Sequence, residues 1–224
     1  MSAVPITYFS DVLCVWAYIA QLRVDAIKAR FGEQVRFEKR FCSVFGDTRR
    51  KIAANWGDKG SYAGFNAHLR HAAEQFPEVR LNPDIWLKVR PASSDSAHLF
   101  LKAIQLAESA GEAAPEAAAT ATWALRCAFF EDGRDIADWA VQREVAEKAG
   151  IDGAQADALI RDGQAFAALS ADYKQASEMG VQGSPSFVLN QGRQKLYGNV
   201  GFRIIEANIN ELLRAPTADQ ASWC

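Results

Sequence analysis

Apolar and polar residues follow strand spacing at the start of the chain, then helix spacing, then strand spacing again. Residues 5–10, PITYFS, are mostly β-branched or aromatic and predict a buried strand. Apolar residues then recur at helical intervals as far as Gly32 and predict a helix from about Cys14 to Phe31. Alternation in QVRFEKRF, residues 34–41, predicts a second strand. A parallel pair with a right-handed crossover follows from this order.

The middle of the chain has helical patterning only. Between residues 48 and 180, Gly and Pro separate segments whose apolar residues have helical spacing. The predicted helices cover residues 48–56, 61–75, 94–110, 115–131, 138–149, 153–161 and 163–179.

Strand patterning returns near the end of the chain. SFVLN and RQKLY flank Asn190-Gln191-Gly192, which predicts a three-residue hairpin loop with positive φ at Gly192. A last helix has Ile205 and Ile209 on one face, and residues 215–224 are predicted to be a frayed tail.

The strands at the two ends are too few to form two separate sheets. One mixed sheet, assembled from both ends around a helical insertion, accounts for them. We therefore predict an α/β fold, β-α-β … β-β-α. Its sheet-forming parts are residues 1–47 and 180–214, and residues 48–179 form an all-helical insertion.

Composition narrows the class of protein. The chain of 224 residues is 49% hydrophobic and 23% charged, with a net charge of −2. This balance predicts neither a nucleic acid nor an anionic membrane as partner. No segment reaches the roughly 18 to 20 apolar residues of a membrane span, and the first residues lack a signal-peptide pattern. We expect a cytoplasmic protein whose cysteines, at positions 14, 42, 127 and 224, rest as thiols.

Cys14 is the first candidate for chemistry. It follows the first strand in SDVLCVWAYIA, after Ser10 and Asp11, which are both good N-cap residues. Unpaired N–H groups at a helix N-terminus favour the thiolate, so the position predicts a nucleophilic cysteine with a depressed pKa. A buried structural cysteine is the alternative.

Pro185 is the second candidate feature. In GVQGSPSFVLN it follows Ser184, stands after two glycines and precedes a strand. A cis bond here would leave the backbone of the preceding residue able to pair with an extended peptide. A plain trans turn is the alternative.

Together these motifs resemble the DsbA-like thioredoxin fold. The resemblance covers roughly residues 4–213. It is closest to the cytoplasmic branch that includes 2-hydroxychromene-2-carboxylate isomerases and kappa-class glutathione transferases. The segment RCAFFEDGRDIADWAVQREVAEKAGID is also similar to this branch. The resemblance implies that Cys14 stands where oxidoreductases have the attacking cysteine and where the isomerases and transferases have a serine that activates glutathione. Ser184 and Pro185 match the cis-proline loop.

Two departures from the family pattern bear on function. The dithiol motif C-P-W-C reads Cys14-Val15-Trp16-Ala17, so a local resolving thiol is lacking. The Asp-Arg pair that holds glutathione in its users is replaced by Val200 and Gly201 in YGNVGF. Ser10, Trp16 and Asn199, with the cis-proline loop, stay candidates for binding a thiol or substrate.

Three functions stay open. The first is a thiol-dependent oxidoreductase that acts through a mixed disulfide on Cys14. The second is a glutathione-dependent isomerase or transferase acting on an aromatic compound, and the third is a binding module without chemistry. The implied partners are a small thiol, a peptide or an aromatic substrate. No tightly bound cofactor is expected, glutathione is the implied cosubstrate, and relatives suggest a homodimer.

The remaining candidates have commoner structural explanations. Cys42 lies just beyond the second strand and is a candidate resolving thiol, although packing in the core or along the crevice is the favoured interpretation. His68 and His71 have the spacing of metal ligands, but no third ligand is evident and no metal is predicted. His98 is predicted to be packed or exposed, and Trp123 to lie in the core or line a pocket. Cys127 is predicted to lie in the core, and Cys224 belongs to the tail.

Overall fold

The computed structural model describes residues 3–148 and 150–214. Its sheet has the strand order β2-β1-β3-β4, with β1 parallel to β2 and antiparallel to β3, and β3 antiparallel to β4. The strands are β1 (Val4–Ser10), β2 (Val35–Phe41), β3 (Ser186–Leu189) and β4 (Gln194–Tyr197). The predicted mixed sheet, built from both ends of the chain, is confirmed.

The helices match the predicted segments closely. Within the described residues they are α1 (Val15–Phe31), α2 (Thr48–Trp56), α3 (Ser61–Ala73), α4 (Asp95–Ser109), α5 (Ala117–Phe130), α6 (Trp139–Lys148), α7 (Gly153–Arg161), α8 (Gln164–Glu178) and α9 (Phe202–Arg214). The insertion also contains a non-helical stretch between α3 and α4, with an isolated bridge between Ile85 and Val89. No described helix is both long enough and apolar enough to cross a bilayer.

Apolar side chains pack on both faces of the sheet. On one face Ile6 and Phe187 pack with residues of α1 and α9, including Ile27 and Ile205, which are fully buried. On the other face a small cluster of Phe9, Cys42, Val188 and Ala176 lies between the sheet and α8. The sheet therefore has helices on both sides, as an α/β fold requires.

A buried ion cluster fastens α8 to the edge strand β2. Asp172 accepts hydrogen bonds from Arg40 at 2.8 Å and from the Phe41 amide at 3.1 Å, and it pairs with Lys102 at 2.5 Å. Because Asp172 is fully buried, these partners replace the water that the carboxylate would otherwise need. These contacts thereby fix α8 of the helical insertion against the sheet.

The predicted hairpin loop is confirmed, and the predicted helix cap is wrong. Asn190–Gly192 joins β3 to β4, and Gly192 has a φ of 93°. The N-cap position of α1 is occupied by Cys14, without a side-chain cap bond, and not by Ser10 or Asp11. Asp11 instead accepts the Leu13 amide at 2.9 Å, because the chain makes one extra turn before the helix begins. The predicted tail at 215–224 lies outside the described residues.

Candidate functional site

Cys14 lies at the junction of β1 and α1. Its amide donates to the Asp11 carbonyl at 3.1 Å, and its own carbonyl accepts the Ala17 and Tyr18 amides at 3.0 Å. Its backbone is extended, with φ −83° and ψ 115°. The strand end and the first helical turn therefore fix the position of the thiol.

The thiol faces the loop before β3. Cys14 Sγ donates to the Ser184 carbonyl oxygen at 3.2 Å, and the Ser184–Pro185 peptide bond is cis, as the sequence predicted. The Pro185 carbonyl accepts the Gly198 amide at 2.8 Å. A Cβ on Gly183 would lie 2.8 Å from a ring carbon of Tyr197, so a larger residue in this loop would require the Tyr197 ring to move. Two segments 170 residues apart thus meet at the sulfur.

The predicted depressed pKa of Cys14 is wrong for this structure. Burial raises the pKa of the thiol, because only 5% of the residue is exposed and a thiolate would lose its hydration. The Ser184 hydroxyl and the Ala17 amide lower the pKa, and the charge of Asp11 raises it. The helix N-terminus acts in the predicted direction, but desolvation outweighs it.

Of the other two described cysteines, Cys42 belongs to a different apolar cluster from Cys14, but it is near enough for the charge of Cys14 to raise its pKa. Cys42 packs with Phe9, Val188 and Ala176 against α8, while Cys14 belongs to the cluster around the start of α1. Cys14, Cys42 and Cys127 are free thiols in the described chain. Burial is the largest cause that raises the pKa of both Cys42 and Cys127, to about 12 for Cys127. A resolving role for Cys42 stays a prediction, and Cys224 lies outside the described residues.

Asp11 is a buried carboxylate whose structural role the sequence did not reveal. Its Oδ2 accepts the Val44 amide at 2.9 Å, the Phe45 amide at 2.8 Å and the Ser94 hydroxyl at 2.8 Å. Asp11 therefore joins the end of β1 to the segment after β2 and to the start of α4. In the sequence, the position of this acidic residue directly after a buried strand is the one sign of its structural role. Its hydrogen-bond partners are distant in sequence, so they could not be predicted.

His98 extends this polar network into the helical insertion. Its Nε2 accepts the Val12 amide at 3.0 Å, so the proton of the neutral ring is on Nδ1, next to the Tyr173 hydroxyl at 2.9 Å. Tyr173 in turn donates to Asp95 at 2.7 Å. From the sequence, His98 is predicted to be either packed or exposed, and the structure shows it fully buried. Burial lowers the pKa of its ring.

The candidate binding residues occupy different environments. Ser10 accepts a hydrogen bond from Arg126 at 3.0 Å and is buried away from bulk solvent. Trp16 packs edge-on against Phe76, with 6.4 Å between ring centroids, and Asn199 is exposed in the turn after β4. The structure brings Ser184 and Pro185 to Cys14. We find no contact of the Asn199 side chain with the thiol among the described residues.

Trp123 and the two surface histidines complete the predicted set. Trp123 is 39% exposed and stacks on Tyr18 at 5.2 Å between centroids. His68 packs against Trp56, and His71 lies 3.2 Å from the Glu74 carboxylate. Within residues 3–148 and 150–214 no group of three or more His, Cys, Asp or Glu side chains is arranged to hold a metal ion.

Solved structures share this fold over nearly the whole chain. A probable DsbA oxidoreductase from Streptomyces coelicolor has a TM-score of 0.73 and 20% identity, covering 99% of this chain and 94% of its own. A 2-hydroxychromene-2-carboxylate isomerase has a TM-score of 0.64 and 19% identity over 97% and 100%. The cytosolic disulfide reductase DsbM from Pseudomonas aeruginosa, solved with GSH, has a TM-score of 0.65 and 20% identity over 94% and 100%.

A family model gives the assignment. Comparison with curated protein sequences gave no significant match. The model described as a DSBA-like thioredoxin domain matches residues 5–210, which includes Cys14, the helical insertion and the cis-proline loop. This chain therefore belongs to the family of DSBA-like thioredoxin domains.

Proposed function

We propose that this protein catalyses thiol–disulfide exchange with a small thiol, using Cys14 as its single active-site cysteine. The observation that carries the proposal is the 3.2 Å contact between Cys14 Sγ and the carbonyl of Ser184, next to the cis peptide bond. This contact places the thiol beside backbone that an extended substrate can pair with. Membership in a family of thiol–disulfide oxidoreductases supports the same chemistry.

The reaction needs an external disulfide as substrate and an external thiol to resolve the mixed disulfide, because Ala17 leaves no local resolving thiol. Cys14 loses its proton to solvent, and its thiolate attacks one sulfur of a disulfide. The old S–S bond breaks, a mixed disulfide forms on Cys14, and the other half leaves as a thiolate. A second thiolate then attacks the mixed disulfide, forms the product disulfide and releases Cys14. Glutathione fits the role of the second, attacking thiol when the substrate is a disulfide of a different thiol. We place the reaction in the cytoplasm, where this thiol pool is reduced.

The raised pKa of Cys14 limits the first step and gives the loop a role. A substrate N–H that donates to the Ser184 carbonyl competes with the thiol for this acceptor. The sulfur then keeps its contacts with the Ser184 hydroxyl and the first-turn amides, which favour the thiolate. Substrate binding therefore activates a thiol that is protected in the free protein.

A second candidate function follows from the same buried thiol. A Cys14 that stays protonated can donate its S–H to the thiolate of bound glutathione, and so support an isomerase or transferase. The raised pKa favours this donor role. In that case Cys14→Ser retains activity, since a hydroxyl also donates.

Mass spectrometry of the intact protein incubated with oxidised glutathione tests the proposal. We expect one glutathionyl adduct on Cys14, reversed by reduced glutathione, and none in Cys14→Ser. Cys127→Ser is the matched control and keeps the adduct, because Cys127 lies outside the loop contact. If Cys14→Ser keeps full exchange activity, the nucleophile assignment is wrong. An unmodified wild-type protein with saturable glutathione binding supports the second candidate. A protein that shows neither the adduct nor glutathione binding supports a binding module without chemistry.

A further inference from the structure

Arg126 on α5 is a buried cation without an acidic partner in the described part of the chain. The residue is 1% exposed, and its Nη2 donates to the Ser10 hydroxyl at 3.0 Å, while Nε has no hydrogen-bond partner. Among the described residues no carboxylate forms an ion pair with this guanidinium. Lys102, also buried, is paired with Asp172. Buried charges normally have a counterion, so the guanidinium lacks one that the described residues do not supply.

Arg126 lines a small cavity. Its lining includes Tyr8, Ser10, Lys39 and Arg126, and its volume is about 10 Å³, the space of a single water-sized atom. The Tyr8 hydroxyl is buried and donates to no described residue. Burial raises the pKa of Tyr8 to about 12, although the charge of Arg126 and its hydrogen bond to the hydroxyl lower it. In that interaction the hydroxyl can only be the acceptor, so its own proton stays available for donation at neutral pH. Two unused donors, one of them charged, therefore line this cavity.

The cavity is the inner end of a larger groove. It shares Lys39, Gln105 and Ala119 with a groove of about 670 Å³ between β2 and the helices α4 and α5. It also shares Lys39 and Ala119 with an adjoining depression of about 280 Å³ that reaches Trp123. A molecule much larger than water can therefore occupy the groove while one of its atoms enters the cavity.

The inner part of the groove has surplus positive charge. Burial, followed by the charge of Lys28, lowers the pKa of Lys39 to about 8, and Arg126 lowers it further while Glu116 and Asp25 raise it. Glu116 is paired with Lys28 at 2.9 Å, and Asp25 accepts a hydrogen bond from Gln21. Glu108, the other acidic residue of the lining, accepts the Glu116 and Ala118 amides at 2.8 and 3.0 Å, so each of these carboxylates already has a partner other than Arg126.

We propose that this groove binds a small organic acid, with one carboxylate oxygen in the cavity between Arg126 Nε and the Tyr8 hydroxyl. A carboxylate oxygen has the lone pairs to accept both donors, and its charge balances the guanidinium. The second oxygen faces Lys39, and the body of the acid lies in the groove. The carboxylate does not contact the Cys14 sulfur, so its binding can be tested separately from the thiol chemistry proposed above.

Calorimetric titration of the full-length protein with benzoate tests this site, with neutral benzamide as the matched probe. We expect saturable binding of benzoate and none of benzamide. Arg126→Met weakens benzoate binding at least about tenfold, because a hydrogen bond to a charged group is lost. Tyr8→Phe also weakens it by several-fold. Arg161→Met, on the exposed surface of α7, and Cys14→Ser leave it unchanged.

Several results would overturn the proposal. They are absence of saturable benzoate binding, equal binding of benzamide, and undiminished binding in both Arg126→Met and Tyr8→Phe. If chloride at the same ionic strength displaces benzoate mole for mole, the site is a halide site and the carboxylate assignment is wrong. If Arg126→Met does not fold, the affinities of Tyr8→Phe and Lys39→Met for benzoate test the site instead. An unchanged benzoate affinity in both variants rejects the site.

Discussion

The Ser184 hydroxyl accepts a hydrogen bond from the backbone amide of Asp11 at 2.8 Å, 173 residues away in the chain. This bond ties the cis-proline loop to the end of β1. The same loop residue receives the Cys14 thiol on its carbonyl at 3.2 Å. One serine therefore holds both the backbone before the helix and the sulfur at its start, which couples the loop geometry to the reactivity of Cys14.

Ser184→Ala removes this link. The Asp11 amide is buried and loses its acceptor, so we expect the free energy of unfolding to fall by about 1–3 kcal/mol in urea titrations. The pKa of Cys14 rises further, because the Ser184 hydroxyl lowers it in the native protein. Ser177→Ala, an exposed serine on α8, is the control and changes stability by at most about 0.5 kcal/mol. Equal stability of the two variants would show that the bond contributes nothing.

Asp11→Asn tests the buried carboxylate. Its Oδ2 accepts three donors and its Oδ1 accepts the Leu13 amide, whereas an amide group cannot accept on both of its terminal atoms. We expect a loss of about 3 kcal/mol or more in unfolding free energy, measured by chemical denaturation. Where the variant still folds, the midpoint for alkylation of Cys14 moves to lower pH, because the Asp11 charge raises the pKa of this thiol. Asp58→Asn, at the surface, should change neither quantity.

Most of the fold could be predicted from apolar spacing. The segment between residues 48 and 179 packs its helices through stripes of apolar side chains, and such stripes repeat visibly in the sequence. β3 and β4 were predicted from a hairpin whose loop ends at Gly192, where positive φ favours glycine. The stretch that contains Trp86 was harder, since this fully buried residue lies in irregular backbone with a φ of 62°.

The site was predicted less completely, because its electrostatics depend on contacts distant in sequence. The helix start and Pro185 are local features and identified Cys14 and the cis-proline loop. The raised pKa of Cys14 comes from burial by the helical insertion, which no short motif encodes. Asp11 and Arg126 were missed for the same reason: their partners, such as Ser94 and Ser10, belong to other elements.

The reactivity of Cys14 should increase with pH at higher pH values than that of an ordinary cysteine. Its pKa is raised, so at pH 7 the folded protein has less thiolate than an unfolded chain, whose cysteines titrate at about 8.5. We expect iodoacetamide to modify Cys14 more slowly in the native protein than in urea, followed by peptide mass spectrometry. The native rate should continue to rise above pH 8.5. A rate that is already constant above pH 7 would show a stabilised thiolate and contradict the buried geometry.

His98 should make the protein sensitive to mild acid. Burial lowers its pKa despite the opposing charges of Asp11 and Asp95, so the folded state resists protonation. An unfolded histidine binds a proton below about pH 6.5, and stability then falls by up to about 1.4 kcal/mol per pH unit until the folded pKa is reached. His98→Gln should be less stable at pH 7.5 but lose less stability between pH 7.5 and pH 5. The exposed His71, replaced by Gln, should keep the wild-type slope.

Ala17→Cys should convert the single-cysteine site into a dithiol site. Position 17 lies in the first turn of α1, three residues after Cys14, and is fully buried beside it. We expect an internal disulfide after incubation with oxidised glutathione, seen as loss of two hydrogens without an adduct, because the new thiol resolves the mixed disulfide. Ala20→Cys is the matched control. Position 20 is equally buried but one turn further along α1, so this variant keeps the glutathionyl adduct on Cys14. If Ala17→Cys accumulates the same adduct as the wild type, a cysteine at position 17 does not resolve the mixed disulfide. The need for an external thiol then has another cause than Ala17.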